Sequence, residues 1–258
     1  MTKLLAIETT EIRGTIALSC DGMVLSQVEL TNGQRSAQSL VPCIRDCLHE
    51  VDWPVKSLDA VAVAVGPGSF TGLRVGLATA RMLAYTIGAK LIGVNTLQAI
   101  AANACVDSQF VEGQTITTAV DAQRGEVSAQ IFRLTPSRYF SQELFPEPID
   151  ERRLLNFDTW WTLAENGASL LFSGPILPRI VARKPEHVRL ANESLWQPNA
   201  SGVAKVAWER LHAGESDDLL TLQPYYSRLS AAEEKNLAQN SIENRKQKMA
   251  AGNAASAE

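Results

Sequence analysis

Apolar residues recur along this chain with two periods, and the places where one period gives way to the other mark its elements. Leu4-Leu5-Ala6-Ile7 runs unbroken to Glu8, Thr9 and Thr10, which predicts a strand buried on both faces with an acidic tip. Gly14 to Ser19 and Met23 to Leu30 predict two more strands, joined by an Asp21-Gly22 hairpin turn. From Ser36 to Val51 the period lengthens. Leu40, Ile44, Cys47 and Val51 then share one helical face, while Arg45, Asp46, His49 and Glu50 lie elsewhere. Pro42 suits only a first turn, so the regular helix is expected to start near Ser39.

Leu58 to Val65 is a small, β-branched run, again the pattern of a buried strand. It enters Gly66-Pro67-Gly68-Ser69-Phe70-Thr71-Gly72-Leu73-Arg74, and Phe70 to Ile87 then predicts a helix closed by Gly88. Ser69 or Thr71 supplies the cap. Gly72, Gly76, Ala80 and Ala84 recur every fourth residue, a bulk-free stripe on one helical face. Two readings of the stripe stand open: a close approach to a partner helix, or packing in this chain's own core. Arg74 sits in the first turn, where the helix dipole disfavours a cation, so a carboxylate or anion partner is expected. The turn is neither G-x-x-x-x-G-K-[ST] nor G-x-G-x-x-G.

Lys90 to Val94 and Leu97 to Cys105 predict a strand and a helix. The opening pattern then returns. Thr117 to Asp121 is an acidic-tipped strand, Gly125 to Ile131 its return strand, and Phe140 to Phe145 a third. Two α/β lobes with related sheets follow, residues 1–105 and a smaller 106–230, with Glu8 and Asp121 facing a shared cleft. In the second lobe, Arg152 to Asn166 and Gly202 to His212 predict helices, with Trp160 and Trp161 as packing residues. Leu170 to Pro175 is a short strand and turn, and Leu222 to Arg228 an extended segment. Residues 231–258, rich in Ala, Asn, Glu and Lys, predict a frayed or disordered tail.

Composition narrows the chemistry. A chain of 258 residues with 45% hydrophobic and 20% charged content suits a globular protein with a large core. The net charge of −4 argues against a free-standing nucleic-acid binder. Glu8 interrupts any signal peptide, and no apolar run approaches the roughly 20 residues of a membrane helix. Cys20, Cys43, Cys47 and Cys105 form no C-x-x-C, which predicts free thiols in a reducing cytoplasm. His49, His187 and His212 are scattered, so no metal site is expected. Glu8 and Asp121 are a carboxylate pair able to hold Mg²⁺ beside nucleotide phosphates, with Thr9 and Thr10 as donors. Equally, both acids can cap strand ends by bonding backbone amides.

Ile7-Glu8-Thr9-Thr10, Gly66 to Arg74, Asp121 to Val127 and Pro224-Tyr225-Tyr226-Ser227-Arg228 occur in an order that resembles the bacterial TsaB (YeaZ) family. The resemblance covers about residues 1–130 well and the remainder loosely. It implies a two-lobed, actin-like ATPase (ASKHA, ribonuclease H-like) fold with a reduced second lobe. It also implies a non-catalytic subunit in the synthesis of N6-threonylcarbamoyladenosine in tRNAs reading ANN codons. Such a subunit pairs with the catalytic paralogue TsaD, works with the ATPase TsaE, and meets tRNA only through the complex. A further reading is a self-contained homodimer that uses the same helical surface without TsaD. ATP and a metal ion are expected in the partner subunits, with no cofactor of its own. On this reading Leu40, Ile44, Cys47, Gly72, Leu73, Gly76, Leu77, Ala80 and Ala84 form the partner interface. Glu8, Thr9, Thr10 and Asp121 are then a vestigial nucleotide cleft. Glu8 stands where the family usually has Asp, Ser36-Ala37-Gln38 where it has His-Ser-Glu, and Gln123 where it has Arg. The competing reading is an actin-like phosphotransferase or ATPase that uses Glu8 and Asp121.

Overall fold

The two acidic-tipped runs become the central strands of two sheets. The computed structural model describes residues 1–30, 36–107, 109–140, 143–165 and 170–228. The first sheet holds β1 (Lys3–Glu8), β2 (Thr15–Cys20), β3 (Met23–Glu29), β4 (Ala60–Gly66) and β5 (Lys90–Asn95), in the order β3-β2-β1-β4-β5. The hairpin side is antiparallel, and β4 and β5 run parallel to β1. The second sheet holds β6 (Thr115–Asp121), β7 (Glu126–Pro136), β8 (Leu144–Pro148), β9 (Arg153–Asn156), β10 (Leu170–Ser173) and β11 (Arg189–Leu190). Its order is β11-β10-β6-β7-β8, with β9 paired to β7. Traversed from the other edge, that is the topology of the first sheet. The repeat suggested by the acidic tips is therefore a repeat of fold.

Among the described residues, five helices complete the layers: α1 (Ser36–Glu50), α2 (Phe70–Ile87), α3 (Thr96–Ala104), α4 (Phe157–Glu165) and α5 (Ala200–His212). Helices α1 and α2 cover one face of the first sheet, where Leu5, Ile7, Ile16 and Leu18 meet Leu40, Leu77 and Ala80. On the other face Leu4 and Ala6 meet Val203, Val206 and Ala207 of α5. The second sheet lies between α3 and α4, with Leu97, Ile100 and Trp160 in one core. Where α3 and α5 touch, a Cβ on Gly202 would collide with Ala99 O and lie 2.9 Å from Asn103 Cγ, so only glycine allows the crossing. No counterpart of α2 fills the second sheet's β10–β11 connection, which is made by short 3-10 turns such as Leu177–Arg179 and Val181–Arg183. Residues Met1–Ser227 make one compact unit.

Three sequence expectations are corrected. Helix α1 starts at Ser36 with Pro42 inside it. Gln38 and Pro42 are both exposed, so water can serve the carbonyl that loses its amide partner. The third strand of the second sheet begins at Leu144, not Phe140. The Phe140 amide instead donates to Ser137 Oγ at 3.0 Å, and its ring packs against Trp208. Arg152 to Asn166 is not one helix. Arg153–Asn156 pairs with the stretch of β7 that β8 leaves free, and Asn156 Oδ1 accepts the Asp158 amide at 2.9 Å to open α4. The predicted tail, 231–258, lies outside the described residues.

Candidate functional site: the glycine turn and the α1–α2 face

Strand β4 delivers Gly66-Pro67-Gly68 to the tip of β1, with a cis peptide between Gly66 and Pro67. Ser69 caps α2 by accepting the Gly72 amide at 3.2 Å, and Gly88 ends it in the left-handed conformation. The turn is held from both sides. Beneath it, Ser69 N donates to Thr10 O at 2.7 Å, and Thr9 Oγ1 donates to Gly72 O at 2.8 Å. Above it, Tyr225 N donates to Val65 O at 2.6 Å, and a Cβ on Gly66 would collide with Tyr225 O. Tyr226 stacks on Phe70 at 4.7 Å. Arg74 therefore finds a different partner from the expected anion. Its Nε donates to Tyr226 Oη at 2.9 Å, and its guanidinium lies 3.9 Å from the Phe70 ring centre.

Glu8 is wholly buried at the β1 tip. Its Oε1 accepts from Thr10 N at 2.6 Å and from Thr10 Oγ1, while Oε2 is buried without a hydrogen-bond partner. Burial pushes its pKa up to about 8; the bonds from Thr10 pull the other way, and Glu11 adds to the rise. Burial also raises Glu11, with Asp121 contributing. Asp121 is exposed, and both its oxygens are engaged: Oδ1 accepts the Gln123 amide at 2.7 Å, and Oδ2 pairs with Arg179 at 2.6 Å. Thr9 and Thr10 spend their hydroxyls inside the fold. The four residues expected to line a nucleotide cleft thus lock the turn or pair locally. Glu11 and Arg179, which sequence reasoning missed, belong to the same acidic corner, and only the fold reveals them. Among the described residues, no group of three or more His, Cys, Asp or Glu converges as a metal site.

The small-residue stripe also faces inward, a correction to the partner-interface expectation. Leu40, Ile44, Cys47, Leu73, Leu77, Ala80 and Ala84 are buried in this chain's own core. A Cβ on Gly72 would overlap Thr9 O and lie 2.9 Å from its carbon; one on Gly76 would overlap Thr9 Oγ1 and lie 3.4 Å from Val63 Cγ2. Small residues are required because β1 and β4 run directly beneath. The surface left for a partner is the opposite side of the same helices. A groove of about 460 Å³ between α1 and α2 is lined by Val41, Ile44, Ala78, Met82, Leu83 and Thr86. Val41, Met82 and the nearby Tyr85 are 60%, 62% and 71% exposed. Of the nine expected interface residues, only Ile44 lines it. No described helix is long and apolar enough to cross a membrane.

Two sheets of one topology, with helices on both faces and between them, define an actin-like α/β fold of the ASKHA class. YeaZ from Pseudomonas aeruginosa superposes with a TM-score of 0.70 over 88% of this chain and all of its own, at 24% identity. TsaB of Bacillus subtilis, named as a tRNA threonylcarbamoyladenosine biosynthesis protein, is 25% identical across 90% of this chain and 96% of its own length. TsaB of Escherichia coli is 34% identical over 48% of this chain, which spans about half of that relative, 52%. In sequence and in fold the chain is similar to the TsaB (YeaZ) proteins. The family model described as TsaD, tRNA N6-adenosine threonylcarbamoyltransferase, matches residues 24–139.

Proposed function

We propose that this chain is a non-catalytic scaffold subunit of the cytoplasmic assembly that forms N6-threonylcarbamoyladenosine in tRNA, and that it docks a TsaD chain on its α1–α2 face. The exposed apolar groove beside Val41, Met82 and Tyr85 carries the reading. A contiguous apolar groove with exposed apolar side chains along its rim is a surface suited to a protein partner. The residues matched by the TsaD family model include both groove helices, so a TsaD chain offers a matching pair of helices in pseudo-two-fold register. Alone, the chain pairs with a second copy through the same face. ATP, the metal ion and the transfer chemistry reside in TsaD and TsaE, and tRNA is met through the complex.

The local geometry favours this reading over an ATPase built on Glu8 and Asp121. Glu8 is enclosed, and Tyr225 and Tyr226 cover the α2 N-terminus where a phosphate would rest. Burial also lifts the Cys105 thiol to about 12, leaving it protonated and a poor nucleophile. The test is titration of TsaD into the wild-type chain and into Met82→Asp, with ATP titrated separately. Met82→Asp should abolish measurable heat with TsaD while its melting temperature holds. Unchanged affinity in a folded Met82→Asp would overturn the docking face. Micromolar ATP binding lost in Glu8→Ala would restore the ATPase reading.

A further inference from the structure

A small, half-open cavity of about 70 Å³ lies between the second sheet and α4, away from the groove and the glycine turn. It exists because β7 changes partners: β8 pairs from Phe132 onward and β9 up to Ala129, leaving Gln130 and Ile131 between them. Asp150 fills the break in the ladder. Its Oδ1 accepts the Ile131 amide at 2.8 Å, and its carbonyl accepts from Gln130 Nε2 at 2.8 Å. Ala129, Ile131 and Leu155 supply apolar walls.

Two lining residues carry polar atoms with nothing to bond. Thr117 and Trp160 are 5% and 3% exposed, yet Thr117 Oγ1 and Trp160 Nε1 are buried without hydrogen-bond partners. Buried polar groups are satisfied almost everywhere in folded proteins, so two orphans on residues that line one cavity point to a polar ligand atom there. Two further lining residues are charged. Arg153 Nε lies 3.7 Å from Asp150 Oδ2, and their side chains are 58% and 15% exposed. A cation and an anion side by side complement a zwitterion.

We propose that this cavity binds a short-chain α-amino acid. The ammonium and carboxylate meet Asp150 and Arg153, and the side chain enters between Ala129, Ile131 and Leu155. Its polar atom is bonded by Thr117 and Trp160. The volume sets the size: an apolar cavity of about 150 Å³ holds benzene, so this smaller one takes a side chain of a few atoms. Apolar walls exclude a charged side chain.

L-Threonine and L-valine are the probes, because they match in shape and differ by one hydroxyl. Each is titrated into the full chain by calorimetry and thermal shift, up to about 10 mM, ten times a weak Kd of about 1 mM. Thr117→Val, which is isosteric and removes an unsatisfied hydroxyl, and Arg153→Gln, at an exposed side chain, should both fold. L-Threonine is expected to bind at least about tenfold tighter than L-valine. Thr117→Val should erase that preference, and Arg153→Gln should weaken both ligands by about tenfold. Absence of binding by either amino acid would mean that water alone fills the cavity, which overturns the proposal. So would binding that neither variant changes.

Discussion

Gly72→Ala is expected to destabilise the fold without changing affinity for TsaD. The added methyl would overlap Thr9 O and lie 2.9 Å from Thr9 C, where carbon atoms normally rest about 3.5–4.0 Å apart. The obstacle is backbone just past the tip of β1, so no side-chain rotation relieves it. Either α2 lifts from the sheet or the backbone at Thr9 shifts, and each disturbs the Thr9 Oγ1 bond to Gly72 O. Overpacking costs about 1–3 kcal/mol and occasionally more. Loss of the buried hydrogen bond adds about 1 kcal/mol. Alanine's better helix propensity returns about 1 kcal/mol. A backbone obstacle places the net near the upper end, about 3 kcal/mol, which is roughly 6–12 °C in a domain of this size. Gly88→Ala is the control: its Cβ meets nothing within 4 Å, and only its φ of +72° resists substitution. That strain costs about 1 kcal/mol, or a few degrees. Scanning calorimetry and TsaD titration on the same samples decide the matter. A Gly72→Ala protein that melts like wild type refutes the packing argument, and one that also loses TsaD would return the stripe to the interface.

Tyr85→Ala should weaken TsaD binding by about 30-fold, the 2 kcal/mol of a typical interface anchor, at constant melting temperature; surface plasmon resonance at wild-type affinity would remove Tyr85 from the face. Glu8 makes stability depend on pH. Its carboxyl is raised from an ordinary 4.5 to about 8, so the folded state holds a proton that the unfolded chain releases between those values. The Glu8 contribution to stability is full below about pH 4.5 and falls by up to about 1.4 kcal/mol per pH unit as pH climbs towards 8. Glu8→Gln should flatten this dependence in melting curves taken across that window, and parallel curves for both proteins would contradict it. Tyr226→Ala removes the stack on Phe70 and the bond from Arg74. Hydrogen exchange at the amides of Ser69 to Leu73 should then accelerate, and unchanged protection would show that the segment does not clamp the turn.

Local physics made much of this protein legible from its residues. The buried strands β1 and β4 are apolar on both faces, and α2 carries its own cap at Ser69 and its own stop at Gly88. The doubled pattern of an acidic-tipped strand followed by a return strand foretold two sheets of one topology. Those features depend on neighbours a few residues away, so sequence order is enough to read them. What faced what was another matter. Spacing showed that Gly72, Gly76, Ala80 and Ala84 share a side, but only the position of β1 beneath them assigns that side to the core. The same holds for Arg74, whose partner Tyr226 is 152 residues away. It holds for Arg153–Asn156, drawn from a helical pattern into a strand because β7 had a free edge. A glycine stripe, an arginine and an amphipathic segment each admit several partners, and tertiary packing chooses among them because a close-packed interior admits only one set of neighbours.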